Sequence, residues 1–374
     1  MCIYNKRIKE KKITFKNKKN IYLYYMDKSA MVVVSFVSTH PLEGDCPKVH
    51  IVGGRDTFYR VEFINYDTNS VVSKFIVPKN SLTTSGFQYF IKWKVNVYSH
   101  DNNSLIHSEV YEPKGKVVFI KFDGFALGDN IAWIPYVEEF RKKHECIIIC
   151  STFHNNIFKS IYPKILFVEP NTVIHNVYSQ HYIGASTNNR RYAPFNYEDV
   201  PLQKMASSIL GLEHKEIRPN LEYNIMHKRP NIDGKYVCIS EFASHEKKQW
   251  KEVGGWQRVV DLLIEKGYKV VAISKEPTSL KNVIDFTVNG SLLDRMVDLY
   301  HCDFYIGVSS GLAWLAWSVG KEVVMISDCT PSWCEFKENN YRVIKNDLDS
   351  INYEFKEHSS FEEVSKKINQ IIKS

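Results

Sequence analysis

Gly307-Val308-Ser309-Ser310-Gly311-Leu312 is the stretch that decides the fold. A short apolar run, Phe304-Tyr305-Ile306, precedes it, and the helix-patterned run 313–319 follows it. Strand, glycine-bounded turn and helix in that order form a βα unit, whose turn presents unpaired backbone N–H groups at a helix N-terminus. With two hydroxyls beside the helix dipole, this turn suits an anion and favours phosphate. The same residues also serve as a well-capped turn without a ligand. No Lys follows the glycine, so the turn is not a P-loop, and its spacing is not the dinucleotide fingerprint.

Alternation continues on both sides. Strands are expected at 236–240, 269–274, 283–287 and 322–326, with helices at 256–266, 292–300 and 361–372. An earlier block has strands at 117–120, 146–150 and 165–168, with helices at 129–143 and 153–160. Residues 171–232 read as irregular apart from a helix over 202–210. Two such blocks predict an α/β protein with two Rossmann-like units facing across a cleft, with ligands beyond the carboxyl ends of the strands. Ahead of them, aromatic and β-branched runs at 31–37, 49–52, 58–63, 71–77 and 88–97 are separated by turn residues. They predict an N-terminal β-rich sandwich or small barrel. The expected divisions are a basic leader at 1–20, the β-rich part at 21–112, and Rossmann-like parts at 113–232 and 233–374.

The 374 residues include 49 Lys and Arg against 42 Asp and Glu. Eight basic side chains and one acid in the first twenty residues carry that whole excess, leaving 41 of each sign in the rest. The basicity belongs to a leader, so no nucleic-acid-binding face is implied. No apolar run is long enough to span a membrane, and no signal-peptide core follows the leader. Reduced thiols are expected for the eight cysteines, which points to the cytoplasm. Cys329 and Cys334 lack a second pair to complete a metal site.

Four segments could carry chemistry. Asp123-Gly124-Phe125-Ala126-Leu127-Gly128-Asp129-Asn130 joins a strand to a helix, so Asp129 stands at a helix N-terminus, either as a cap or as a general base at a cleft. Lys248 lies beyond the carboxyl end of the strand 236–240, where a point charge can meet a phosphate. Glu276 follows the next strand and could accept hydrogen bonds from a ribose diol. Ser309, Ser310 and Gly311 form the turn already described. No histidine pair is spaced as metal ligands.

Taken together, these segments resemble the heptosyltransferase superfamily of GT-B glycosyltransferases, and within it the bacterial autotransporter heptosyltransferases. The likeness rests on Leu127-Gly128-Asp129-Asn130, then 200–212, then Lys248-Gln249-Trp250 with Gly255-Trp256-Gln257, and finally Ser309-Ser310-Gly311-Leu312-Ala313-Trp314-Leu315-Ala316-Trp317, in order over about 116–345. It implies a GT-B fold and transfer of a heptose from ADP-heptose to a protein hydroxyl with inversion. Asp129 is then the base. Gly128, Asn130, Lys248, Ser309, Ser310 and Gly311 belong to the donor site, with Glu276 at the ribose, Gly290 at the adenine pocket and Trp314 near the sugar. No divalent metal is required. The branch's cysteine-rich iron finger is missing, because no cysteine follows Tyr341-Arg342-Val343-Ile344.

Two other functions remain open on these residues. One is a GT-B transferase using another nucleotide sugar, or a glycan, lipid or nucleic-acid acceptor. The other is a catalytically degenerate nucleotide-sugar-binding or assembly protein. Self-association into a homo-oligomer is left open.

Overall fold

The computed structural model describes residues 30–36, 47–184, 193–196, 200–222, 225–230, 232–346 and 357–373. The basic leader, the run 21–26, the segment 188–191 and the residues just after Asn346 lie outside them.

Seven strands build the β-rich part: β1 Met31–Ser35, β2 Lys48–Val52, β3 Phe58–Asn65, β4 Ser70–Pro78, β5 Ser81–Thr84, β6 Trp93–Ser99 and β7 Leu105–Val110. They form two antiparallel sheets, β1-β2-β5 and β4-β3-β6-β7, packed on one core. Alternation sets the register: Tyr59, Val61 and Phe63 of β3 point inward opposite Ser99, Val97 and Val95 of β6. The sequence pattern does not predict β5 or β7. Both are polar or half-exposed edges, defined by pairing rather than by burial.

The first α/β unit comprises β8 Val117–Phe122, α1 Leu127–His144, β9 Ile147–Ser151, α2 Asn155–Phe158, β10 Ile165–Val168, β11 Ser179–Ile183 and α3 Leu202–Ile209. Its sheet runs β10-β9-β8-β11, parallel throughout. Strand β11 falls in the region read as irregular. Its buried Ser179, Gln180 and His181 hide it from a hydrophobicity pattern. Helix α2 is one turn long, shorter than expected.

The second unit comprises β12 Tyr236–Ser240, α4 Gly255–Glu265, β13 Lys269–Ala272, β14 Ile284–Asp285, α5 Leu292–His301, β15 Tyr305–Val308, α6 Gly311–Ser318, β16 Val323–Ile326, β17 Asn340–Val343 and α7 Phe361–Lys373. All six strands are parallel, in the order β14-β13-β12-β15-β16-β17. Counted from β12 this is the 3-2-1-4-5-6 order of a doubly wound nucleotide-binding sheet. The order in which strands are added reverses between β12 and β15, so the binding crevice lies beyond Ser240 and Val308.

Helices α1 and α6 join the units. Neither shows one apolar face, because α6 is buried on nearly all sides and α1 is buried on all sides from Asn130 to Val137 before its charged C-terminal turns. They pack on their own sheets and on each other, and their side chains share one core with both units. Two Rossmann-like units joined in this way behind a β-rich part make the GT-B fold expected from the sequence.

Candidate functional site

The site grows from the point where the N-termini of α1 and α6 meet. Gly311 opens α6. A Cβ added there would stand 2.8 Å from Leu127 Cβ and 3.2 Å from the Gly128 backbone nitrogen. At Gly128, a Cβ would stand 3.1 Å from Trp314 Cδ1 and 3.6 Å from Gly311 Cα. Both contacts are tighter than ordinary packing, so glycine on each helix lets the two ends touch.

Asp129 lies in the first turn of α1. Its Oδ2 lies 4.0 Å from the position of a Gly124 Cβ, so the carboxylate turns back over its own loop. Burial pushes its pKa up to about 6; the Lys248 charge draws it down and the Asp123 charge adds to the rise. Asp123 occupies the carboxyl end of β8. A Cβ on Gly184 would overlap its carboxylate at 1.8 Å, so the glycine after β11 makes its space.

Lys248 arrives from the opposite unit, on a single 3-10 turn, Glu246–Lys248, beyond β12. The Cys334 thiol, pushed up to about 12 chiefly by burial, lies in the fields of Lys248 and Asp129 together. These three groups therefore share one place. Ser309 is buried and donates its N–H to Ile326 O at 3.1 Å, which fixes the turn on β16. Ser310 is the extended N-cap of α6, and its hydroxyl makes no cap bond. Trp314 is buried edge-on to Trp317 and Phe336, at 5.5 and 5.0 Å.

Asn130 differs from its expected place in the donor site. It is fully buried, and its amide donates to Gly124 O at 2.8 Å and Ala126 O at 2.9 Å. Its Oδ1 accepts from Phe153 N–H at 3.3 Å. The side chain stitches two cleft loops together and has no donor hydrogen left for a ligand. Glu276 and Gly290 also lie along the carboxyl edge of the second sheet, on the β13 side, and both are exposed. Gly290 has a packing cause, since a Cβ there would strike the Arg295 guanidinium at 2.4 Å. Arg295, buried with Asp298 at 2.8 Å, donates to Phe286 O and Asn289 O and ties down this loop. Val288, with φ 63°, is a strained β-branched residue in the same loop.

Sequence reading missed several cleft groups. Glu241, just after β12, accepts from the Thr278 hydroxyl at 2.5 Å, and burial raises its pKa. His154 meets Phe125 O at 2.9 Å, and burial followed by the Lys275 charge lowers its pKa. Phe125 stands 78% exposed on the β8–α1 loop. Phe125 lies within the segment 123–130 already singled out, Glu241 was signalled by its position after a central strand, and His154 carried no signal.

Among the described residues, no group of three or more His, Cys, Asp or Glu is placed to hold a metal ion. An iron set is therefore not among them, and Cys329, like Cys334, is held as a thiol by burial.

Comparison with known proteins bears on the same residues. The family described as glycosyltransferase family 9 (heptosyltransferase) matches residues 189–350. The chain is 31% identical over 304 residues to the autotransporter heptosyltransferase Aah of Escherichia coli, covering 76% of each. It is 31% identical over 266 residues to the autotransporter heptosyltransferase BAHTCr of Citrobacter rodentium, covering 66% of this chain and 63% of that one. The chain thus spans under two thirds of that relative's length. The crystal structure of TibC from enterotoxigenic E. coli H10407, described as an iron-containing dodecameric glycosyltransferase, superposes with a TM-score of 0.80 at 23% identity, over 92% of this chain and 96% of that one. TibC has also been solved in complex with ADP-D-β-D-heptose, with a TM-score of 0.79 to this chain.

Proposed function

The chain belongs to the autotransporter heptosyltransferase family, and from that membership we propose that it transfers a heptose from ADP-heptose to a protein hydroxyl with inversion. One observation carries the reading: the two touching helix ends bring Asp129 of one unit beside the phosphate-suited turn of the other. An inverting displacement needs a base on one face of the sugar and a leaving-group site on the other.

Asp129 takes the acceptor's proton as the oxygen attacks the anomeric carbon. A new carbon–oxygen bond forms while the bond to the donor's phosphate breaks, and ADP leaves. A carboxylate with pKa about 6 is ionised at neutral pH yet basic enough to accept a proton. Lys248 and the α6 N-terminus meet the charge that grows on the diphosphate. Gly128 and Gly311 set the distance between the two halves, and Trp314 backs that contact. Glu276 and Gly290 line the direction in which the nucleoside would run. Asn130 holds the loop that aims Asp129.

Six described cysteines are free, which supports a reducing cytoplasmic setting. No helix among the described residues is long and apolar enough to cross a membrane. The dodecameric description of TibC supports testing the chain for self-association by light scattering.

The deciding experiment combines ligand-dependent melting with product mass. ADP-heptose should raise the melting temperature more than UDP-, GDP- or CDP-sugars, because a ligand bound only by the folded form stabilises it. Incubation with an autotransporter passenger should add heptose masses to serine or threonine. Stabilisation by another nucleotide sugar would change the donor. Tight nucleotide binding without transfer or hydrolysis would favour a non-catalytic protein.

A further inference from the structure

Tyr305 opens β15, and its side chain is completely buried. Residues two apart on a strand share a face, so the ring runs along the strand under Gly307. A Cβ on Gly307 would stand 2.2 Å from the tyrosine oxygen and 2.6 Å from Cζ. Only glycine at 307 leaves the phenol this path. The hydroxyl is carried toward the carboxyl end of β15, at the point where the strand order reverses and the turn Ser309-Ser310-Gly311 begins.

There it comes close to two serine hydroxyls. Ser310 and Ser240 both oppose the rise that burial imposes on the phenol's pKa. Neither forms an aligned hydrogen bond with it, and the Tyr305 hydroxyl and Ser310 Oγ are both buried without a partner. Buried polar atoms are seldom left unmatched, and exceptions gather at functional sites. Here two orphaned hydroxyls sit together below the anion-suited turn.

We propose that Tyr305 is a positioning residue for the donor's diphosphate: its O–H donates to Ser310 Oγ and thereby turns the Ser310 proton outward onto a phosphate oxygen. The inference rests on the donor-site reading above. It gives the turn a second means of anion recognition in the absence of a P-loop lysine. Hydroxyls in series polarise one another, so the outer hydrogen bond gains strength from the inner one.

Calorimetric titration with ADP, and steady-state transfer from ADP-heptose, test this in Tyr305→Phe, Ser310→Ala and the double variant. Tyr305→Phe keeps the buried ring and removes only its oxygen, so the variant should still fold. Its ADP affinity should fall about three- to tenfold, with KM rising more than kcat falls. Ser310→Ala should lose at least as much, and adding Tyr305→Phe to it should cost nothing further. Unchanged ADP affinity in Tyr305→Phe, or losses that multiply in the double variant, would each overturn the inference while leaving the donor site standing. A wild-type chain that binds no ADP refutes the donor-site reading, and the Tyr305 inference with it.

Discussion

Replacing Asp129 with Asn should stabilise the protein and abolish transfer together. The carboxyl pKa rises from 3.8 to about 6 on folding, with burial the first cause. A raised carboxyl pKa means that the folded form binds the proton more tightly than the unfolded chain. Ionisation of Asp129 therefore costs stability as pH rises through the window from about 4 to 6, and the full cost is present above it. At about 1.4 kcal/mol per unit the upper bound is about 3 kcal/mol. Asp129 keeps part of its surface open, so solvent screening reduces this to about 1–2 kcal/mol. Denaturant unfolding at pH 8 should show the variant more stable by that amount, and the gap should close below pH 4. Transfer should fall 100-fold or more. In the wild type, kcat/KM should rise tenfold per unit up to about pH 6 and then level off, and residual activity of the variant should lack that limb. A variant less stable at pH 8, or one retaining most of its turnover, would refute the assignment of a desolvated, buried base.

Gly311→Ala would force a Cβ to within 2.8 Å of Leu127; it should destabilise the fold by about 1–3 kcal/mol in denaturant titrations and depress transfer more than nucleotide binding. Asn130→Ala removes a buried amide that holds three backbone groups, so a loss of about 2–4 kcal/mol is expected, read by the unfolding midpoint, with Asp129 misplaced and kcat reduced. His144, lying against Phe140 at 4.3 Å, has its pKa lowered to about 4, first by burial. It folds neutral while the unfolded chain protonates near 6.5, so stability is full above 6.5 and falls as pH drops toward 4, by about 2 kcal/mol. His144→Phe should flatten that part of the pH–stability curve.

The alternation of strands and helices was legible where a parallel strand is a short apolar run, as in Tyr236–Ile239, where every residue is buried. The turn at 307–312 and Asp129 were legible because glycine and helix-capping chemistry act within a few residues. What could not be read depends on tertiary partners. Strand β11 is half polar because Ser179 and His181 find Tyr111, a residue far away in sequence. Asn130 looked like a ligand-binding residue, since its motif was visible and its bonds to Gly124 and Phe153 were not. Gly307 reads from the sequence as the start of the turn, whereas the structure places it within β15 over the Tyr305 ring. The even apolarity of α6, and of α1 from Ile131 to Val137, signalled burial on all sides, but not that each helix buries the other.

That mutual burial explains why two glycines belong beside the reactive residues. Gly128 precedes the acid and Gly311 follows the capping serine, so any side chain at either would separate the base from the phosphate turn. Two helix N-termini held end to end also place like partial charges together, an unfavourable arrangement unless an anion lies between them. Asp129 supplies part of that negative charge, but burial keeps its affinity for a proton high, and Lys248 offsets it from the facing unit. A diphosphate entering the turn would complete the neutralisation and, as a second anion close by, raise the pKa of Asp129 further. The donor would thus increase the basicity of the group that must deprotonate the acceptor, so that the strongest base exists only when there is a sugar to transfer.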